Sequence, residues 1–254
     1  MELKVAAQQI LGLIDLTSLN VEDTPETILA LCQQAHSEFG SVAAICIFPQ
    51  FIPVAKKYLT SKNLALKIAT VVNFPSGSAD LANALKQTHE ALDLGADEVD
   101  LVFPYSALMT GDQQIGATMV KQAKQICGRK TLKVIIESGV LHDPHLIKLA
   151  SEIAIANGAD FIKTSTGKVP INATLAATAI MLKAIKDAHS SCGFKAAGGI
   201  RRVSEAVAYL ELSAQIMGDE WINARNFRFG ASSLVTEVLN TLRGQASNLA
   251  KNAY

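Results

Sequence analysis

Two lysines and an aspartate lie near the ends of predicted strands, at spacings that suggest one shared site. Lys163 ends the apolar run of "GADFIKTSTGKV", Lys195 lies in "GFKAAGG", and Asp100 lies in "EVDLVF". Asp100 precedes Lys163 by 63 residues, and Lys195 follows it by 32, so the three fall one and two repeat units apart. Because unpaired buried charge is costly, this grouping favours a functional role over a purely structural one.

Two neighbouring lysines indicate imine formation with a carbonyl compound. A lysine attacks a carbonyl only when neutral, so its usual pKa of about 10.4 must fall by roughly three units. Two like charges about 5 Å apart, close to the spacing of adjacent strands, repel by roughly 3 kcal/mol at an effective dielectric near 20. Lys195 is therefore predicted to lower the pKa of Lys163, and Asp100 to oppose it. The alternative is a buried salt bridge with one lysine in solvent.

Turns after the last two predicted strands suggest a phosphate site. "KAAGGIRR" and "RFGASSL" place backbone N–H groups at a helix start, although turn formation and helix capping alone would explain either one. "TSTGK" lacks the earlier glycine of a nucleoside triphosphate loop, because Ile162 occupies that position. The predicted substrate-binding residues in these segments are Thr166, Gly167, Lys168, Gly198, Gly199, Gly230, Ser232 and Ser233.

Eight short apolar segments alternate with helical patterns and would position these residues. Their apolar character on both faces is typical of a parallel sheet covered by helices, and eight such units fit a (β/α)8 TIM barrel. A doubly wound open sheet is the alternative. Lys67 and Lys133 lie at strand beginnings and are predicted to be surface charges. The predicted strands cover residues 13–16, 42–48, 66–73, 98–103, 132–137, 160–164, 193–198 and 227–232.

Composition and charge favour a single-domain protein and argue against nucleic acid or a membrane as its partner. The 254 residues are 49% hydrophobic without a linker-like tract, which favours a single domain over residues 1–254 with residues 244–254 as a mobile tail. Zero formal net charge gives no attraction to nucleic acid or to an acidic membrane. We predict a cytoplasmic protein, because no cationic leader or transmembrane segment is evident and the four cysteines are scattered. His142 and His145 lack a third ligand nearby, so no metal is expected.

Several blocks resemble the signature of one enzyme family. "EVDLVFPYSALMTGD", "ADFIKTSTGKV", "FKAAGGIR" and "RFGASSL" resemble deoxyribose-phosphate aldolases, most closely the proteobacterial branch, and the similarity runs through almost the whole chain. Ala196 stands where close relatives often have proline, a change that removes no functional group. The family consists of class I aldolases on (β/α)8 barrels. The resemblance therefore implies that fold and a reaction that needs no organic cofactor or metal.

The resemblance also implies a reaction and roles for particular residues. The reaction is reversible cleavage of 2-deoxy-D-ribose 5-phosphate to acetaldehyde and D-glyceraldehyde 3-phosphate, in deoxynucleoside breakdown. Lys163 would form the imine, and Asp100 with Lys195 would transfer protons. Asp15 and Thr17 are predicted to line the substrate hydroxyl region, with a capped turn as the alternative.

Further interpretations remain open at this stage. A phosphate-binding isomerase would use an acid and base such as Glu137 without an imine, and a binding protein would keep only the phosphate loops. The polar tail after Gly244 is long enough to return to the strand ends, where Tyr254 would help to protonate an enamine, or it is a frayed terminus. The sequence leaves the oligomeric state open, with a homodimer among the states it allows.

Overall fold

The computed structural model describes residues 2–245, in which eight parallel strands close into a barrel. Each strand pairs with the next one along the chain, and the eighth pairs with the first. This closure confirms the predicted (β/α)8 barrel, and the open-sheet alternative is wrong. The strands are β1 (Ile14–Thr17), β2 (Ala44–Ile47), β3 (Lys67–Val72), β4 (Glu98–Val102), β5 (Thr131–Ile135), β6 (Phe161–Lys163), β7 (Gly193–Ala197) and β8 (Phe227–Ala231).

Eleven α-helices in the described residues connect and cover the strands. Each is too short or too polar to cross a lipid bilayer. Two 3-10 turns, Pro49–Phe51 and Asp219–Trp221, and a small hairpin of His36–Ser37 with Gly40–Ser41 complete the elements. The helices are α1 (Leu3–Leu11), α2 (Pro25–Gln34), α3 (Ile52–Ser61), α4 (Leu81–Asp93), α5 (Tyr105–Met109), α6 (Gln114–Cys127), α7 (Ser138–Leu141), α8 (Pro144–Ala156), α9 (Leu175–Asp187), α10 (Val203–Met217) and α11 (Leu234–Arg243).

Polar side chains define where several helices begin and so fix the loops that leave the strands. Thr24 accepts a hydrogen bond from the Thr27 backbone N–H, and Pro25 occupies the first turn of α2. Thr174 caps α9 in the same way through the Ala177 N–H. A cap of this kind satisfies backbone donors that have no partner within the helix. The loops after β1 and β6 therefore end at defined residues, Thr24 and Thr174.

The main hydrophobic core lies between the strands and the helices. Successive strand residues face opposite sides of a sheet, so alternate residues point outward into this layer. Ile162 of β6, Phe194 of β7 and both Phe227 and Phe229 of β8 are completely buried there. Phe227 and Phe229 also make an edge-to-face contact, with ring centroids 4.8 Å apart. Because these residues face outward, their neighbours Lys163, Lys195 and Arg228 on the same strands face the barrel interior.

The barrel interior has an apolar side and a charged side. Cys46 of β2 and Ala69 and Val71 of β3 form a small apolar cluster with Leu19. Each of the strands β4 to β8 and β1 instead contributes at least one buried charged residue. In the strand register, Lys163 is paired with Lys195, Lys195 with Arg228, and Asp100 with Lys133. The fold therefore gathers charged side chains from six of the eight strands in the barrel interior.

Candidate active site

The structure brings together the two lysines and the aspartate that the sequence selected. Lys163 Nζ and Lys195 Nζ both donate to Asp100 Oδ2, at 2.8 Å and 2.9 Å. Asp100 and Lys195 have no exposed surface, whereas 3% of the Lys163 side chain remains accessible. Lys163 is thus the member of the three that a substrate can reach.

Lys133 also belongs to this cluster, which corrects the prediction of a surface charge. Its Nζ donates to Asp100 Oδ1 at 2.8 Å and lies 2.6 Å from Glu98 Oε2, and the side chain is completely buried. The sequence interpretation placed Lys133 by its position early in β5. It overlooked that Leu132 and Val134 face outward and so turn Lys133 inward. Lys67, the other lysine predicted to lie at the surface, is exposed as expected.

Arg228 and two further carboxylates extend the cluster toward the opposite end of the barrel. Arg228 Nη1 donates to Asp15 Oδ1 at 2.6 Å, and Nη2 donates to Glu98 Oε1 at 3.3 Å. Asp15 Oδ2 in turn accepts a hydrogen bond from Lys195 at 2.5 Å. We call the seven residues joined by these contacts the buried ion network: Asp15, Glu98, Asp100, Lys133, Lys163, Lys195 and Arg228.

The lysines of the network differ in the direction of their pKa shifts. Burial lowers the pKa of Lys163; the Asp100 carboxylate opposes this effect, and the Lys195 ammonium adds to it. Burial also acts to lower the pKa of Lys195, but Asp100 and Asp15 together raise it above its usual range. Burial likewise acts to lower the pKa of Lys133, but the carboxylates of Asp100, Asp15 and Glu98 raise it above its usual range. Of the three buried lysines, Lys163 is the one favoured as a neutral amine.

The predicted effect of Lys195 on Lys163 is present, but burial is the larger cause. The sequence interpretation assigned the main effect to the second cation. In the structure Lys195 pairs with both Asp15 and Asp100, so much of its charge is compensated. Removal of Lys163 from water is therefore the leading cause of its lowered pKa.

A cleft of about 260 Å³ opens above Lys163 at the carboxyl ends of the strands. Lys168 lines this cleft, and its Nζ donates a hydrogen bond to the Leu19 carbonyl at 2.6 Å, which joins the loops after β6 and β1. The lining includes nine of the predicted substrate-binding residues: Thr17, Thr166, Gly167, Lys168, Gly198, Gly199, Gly230, Ser232 and Ser233. The sequence analysis did not select Asn20 or Arg201, which also line it. Arg201 lies two residues after Gly199 in "GGIRR", a segment that the sequence analysis assigned to the phosphate site.

Glycines make the close approaches around this cleft. Gly198 has a φ of +86°, and a Cβ there would lie 2.7 Å from the Asn172 side chain. A Cβ on Gly230 would lie 2.9 Å from Ala197 Cβ and 3.0 Å from Lys195 Cε. The turn after β8 continues through exposed Ser232 and Ser233 into α11, whose first backbone N–H groups face the cleft end of the barrel. Small residues thus leave space for an anion beside backbone donors.

One predicted site residue, Asp15, does not lie where the sequence suggested. Asp15 has no exposed surface and lies beneath the cleft among Lys195, Lys133 and Arg228 instead of lining the substrate region. Burial would raise the pKa of the Asp15 carboxyl, but these cations hold it well below its usual range. Tyr254 lies outside the described residues.

Glu137 and Cys46 are buried, and His142 and His145 form no metal-binding group among the described residues. Glu137 is completely buried and accepts a hydrogen bond from the Thr166 backbone N–H at 3.2 Å, so it is not a polar rim residue. Burial raises the pKa of the Glu137 carboxyl and of the Cys46 thiol, which packs in the apolar side of the interior. Within residues 2–245, His142 and His145 belong to no group of three or more metal-ligating side chains.

Comparisons with known proteins agree on fold and family. A family model described as DeoC/LacD family aldolase matches residues 10–234. A candidate deoxyribose-phosphate aldolase from Toxoplasma gondii superposes with a TM-score of 0.87 at 23% identity, covering 96% of each chain, and shows that the fold is shared. A candidate deoxyribose-phosphate aldolase from Coccidioides immitis gives 0.82 at 26% identity, covering 92% of this chain and 86% of that one. The tetrameric deoxyribose phosphate aldolase from Aeropyrum pernix gives 0.73 at 25%, covering 94% and 97%.

Proposed function

Because the chain belongs to the DeoC/LacD family of aldolases, we propose that it reversibly cleaves 2-deoxy-D-ribose 5-phosphate through an imine on Lys163. The products are acetaldehyde and D-glyceraldehyde 3-phosphate. The observation that carries the proposal is the environment of Lys163, a buried lysine at the floor of the cleft whose pKa is lowered. A neutral amine in this position is the nucleophile that imine formation requires.

The proposed steps use the groups that surround Lys163. Its amine adds to the aldehyde carbon of the open-chain sugar, and loss of water gives the imine. The C2–C3 bond then breaks as a base removes the proton of the C3 hydroxyl, and the bonding electrons move into the imine to form an enamine. Protonation at C2 and hydrolysis release acetaldehyde and restore the amine.

Asp100 and Lys195 are the proposed proton-transfer pair. Both Lys163 and Lys195 contact the same oxygen of Asp100, so a proton that leaves Lys163 has a hydrogen-bonded acceptor and donor beside it. Once Lys163 has become an imine it donates fewer hydrogen bonds, which frees Asp100 Oδ2 to accept one from a water molecule. That water would carry the proton between the C3 hydroxyl and the enamine carbon.

We place the substrate phosphate between the loops after β7 and β8. Gly199 is exposed on one side, next to Gly198, whose N–H donates to the Gly230 carbonyl at 3.3 Å, while Ser232, Ser233 and the start of α11 lie on the other side. The cationic side chains that line the cleft, Lys168 and Arg201 beside Lys163, complement a doubly charged anion. Thr17 and Thr166 also line the cleft, and we assign them to the sugar hydroxyls.

The same proposal covers the cellular setting. All four cysteines are buried and unpaired, which fits a reducing compartment such as the cytoplasm. A role in deoxynucleoside breakdown follows from the proposed substrate. An isomerase that used Glu137 is less well supported, because the Glu137 side chain has no exposed surface and already accepts the Thr166 N–H.

Borohydride trapping tests the proposed mechanism. Reduction in the presence of acetaldehyde should add one two-carbon group to the peptide that contains Lys163, and the Lys163→Met variant should show neither the label nor sugar-phosphate cleavage. Lys168→Met is the matched control, since it removes an amine that also lines the cleft. The control should still be labelled at Lys163. Cleavage by Lys163→Met, or sugar-phosphate conversion by the native protein without a label, would contradict the imine mechanism.

A further inference from the structure

The buried ion network contains one more cation than it has carboxylates. Three carboxylates, Asp15, Glu98 and Asp100, face three cations other than Lys163, namely Lys133, Lys195 and Arg228. If Lys163 is neutral, the network has zero net charge. If Lys163 is an ammonium ion, the network carries one uncompensated positive charge in the barrel interior, which is unfavourable in a medium of low dielectric.

Arg228 and Glu98 form the end of this network that is farthest from the cleft. Both line a separate cavity of about 580 Å³ at the beginnings of the strands. Arg228 is 7% exposed and Glu98 is 4% exposed, so neither charge is well solvated. Arg228 is held by Asp15 and Glu98, and its guanidinium carbon also lies 5.6 Å above the ring of Phe161, two residues before Lys163 on β6.

We propose that Arg228 and Glu98 are positioning residues that set the charge state of Lys163 from the opposite end of the barrel, by fixing the charge balance of the buried ion network. They touch neither the cleft nor a bound substrate. Their effect passes through two short chains of contacts. Arg228 reaches Lys195 through Asp15, and Glu98 reaches Asp100 through Lys133.

Two other titratable groups, Cys46 and Glu137, interact with Lys163 and stay the same in every variant proposed below. Cys46 faces the network from β2 as a neutral thiol, because burial raises its pKa. Glu137, beyond the end of β5, accepts a hydrogen bond from the Thr166 N–H and makes no ion pair with the network; burial raises its pKa, and the Lys163 ammonium opposes that effect. After burial, the strongest influences on the charge of Lys163 are therefore Asp100 and Lys195, which contact it or its partner directly, and the groups that compensate those two act through them.

The proposal predicts opposite effects for the two residues. Arg228→Met removes a cation, so an ammonium ion at Lys163 would then complete the charge balance and the pKa of Lys163 should rise. Glu98→Gln removes a carboxylate, and the pKa of Lys163 should fall. Unit charges on the order of 10 Å apart at an effective dielectric near 20 shift a pKa by about one unit. The double variant restores the balance and should return the pKa of Lys163 to the native value.

Competitive acetylation measures this pKa without relying on the proposed reaction. The native protein and variants are treated with acetic anhydride between about pH 6 and pH 11, a range that brackets a lysine pKa, and acetylation of the Lys163 peptide is quantified by mass spectrometry. Arg228→Lys keeps the charge and should keep the native profile. Arg225→Met is the matched control, because Arg225 is an exposed arginine of the same cavity outside the network. It should leave the profile unchanged.

The outcomes separate this inference from the proposed function. Shifts of opposite sign that cancel in the double variant support the inference, whereas unchanged profiles or shifts of the same sign overturn it. If Arg228→Met does not fold, Glu98→Gln against Arg228→Lys decides the question, since only the former should shift to lower pH. The relevance of the shift to catalysis rests on the proposed function. Absence of acetaldehyde trapping in the native protein would refute that function and leave the measured pKa values standing.

Discussion

Replacing Lys195 by methionine should raise the pKa of Lys163 and move imine formation to higher pH. The two Nζ atoms share Asp100 Oδ2 at 2.8 Å and 2.9 Å, so they lie no more than 5.7 Å apart, which is the sum of those distances. At about 5 Å and an effective dielectric near 20, two uncompensated unit charges repel by about 3 kcal/mol, or roughly two pKa units, and the pairing of Lys195 with Asp15 and Asp100 makes this an upper limit. Loss of this repulsion favours the ammonium form of Lys163.

The second consequence of the substitution acts in the same direction. Without Lys195, Asp100 Oδ2 has Lys163 as its remaining ammonium partner, and this contact raises the pKa of Lys163. At neutral pH the neutral fraction of Lys163 should fall by one to two orders of magnitude, about tenfold for each pKa unit. The fold should survive, because Asp15 retains Arg228 and Lys133, and Asp100 retains Lys133.

The assay is the pH dependence of the initial rate of acetaldehyde trapping at Lys163. In the Lys195→Met variant the rising limb should appear about one to two pH units above that of the native protein. Lys124→Met is the matched control, because Lys124 forms a 2.6 Å ion pair with Asp160 outside the network. A rising limb at the native pH, or at lower pH, would refute the reasoning that Lys195 acts on Lys163 through its charge.

Three further perturbations test other parts of the site. Ser233→Asp places a carboxylate beside the proposed phosphate position, so the preference for deoxyribose 5-phosphate over unphosphorylated deoxyribose should fall by at least about tenfold in kcat/KM; equal losses for both substrates would mean that this turn is only structural. Gly230→Ala introduces a Cβ 3.0 Å from Lys195 Cε and should lower kcat by displacing that amine, whereas native kcat would show that the site absorbs the methyl group. The pKa of Asp15 is lower in the folded protein than in the unfolded chain, so ionised Asp15 stabilises the fold at any pH above its unfolded-state pKa. This stabilisation is lost as the pH falls through and below about 4, where the unfolding free energy should decrease by up to about 1.4 kcal/mol per pH unit for this group. Urea titrations checked against Asp15→Asn, in which that component should vanish at a cost of about 3–5 kcal/mol in stability, measure this slope.

Periodicity in the sequence was sufficient to predict the fold. Eight apolar segments at regular intervals correspond to the eight strands, and the ends of the strands lie within two residues of the predicted ends. The same periodicity placed Lys163 and Lys195 near strand ends, where neighbouring parallel strands bring residues together. Their direct pairing in the register of β6 and β7 follows from that spacing.

The sequence could not predict which charged residues share the barrel interior. Lys133 and Arg228 each lie between two apolar residues, in "LKV" and "FRF", a pattern that marks an inward charge only once the flanking residues are known to face the helices. Asp15 was wrongly predicted to line the cleft, because it lies near the end of a short strand. In the structure it is enclosed by Lys195 and Arg228.

The sequence by itself determined the number and order of the strands, the lysine that lines the cleft and the glycine and serine turns around it. Only the tertiary structure decided that seven charged side chains from six strands meet, and that their charges balance when Lys163 is neutral. The physical reason is the range of the interactions involved. Hydrophobic periodicity and helix capping act over a few residues, whereas charge compensation joins groups up to 213 positions apart, as for Asp15 and Arg228, and depends on their burial in a closed barrel.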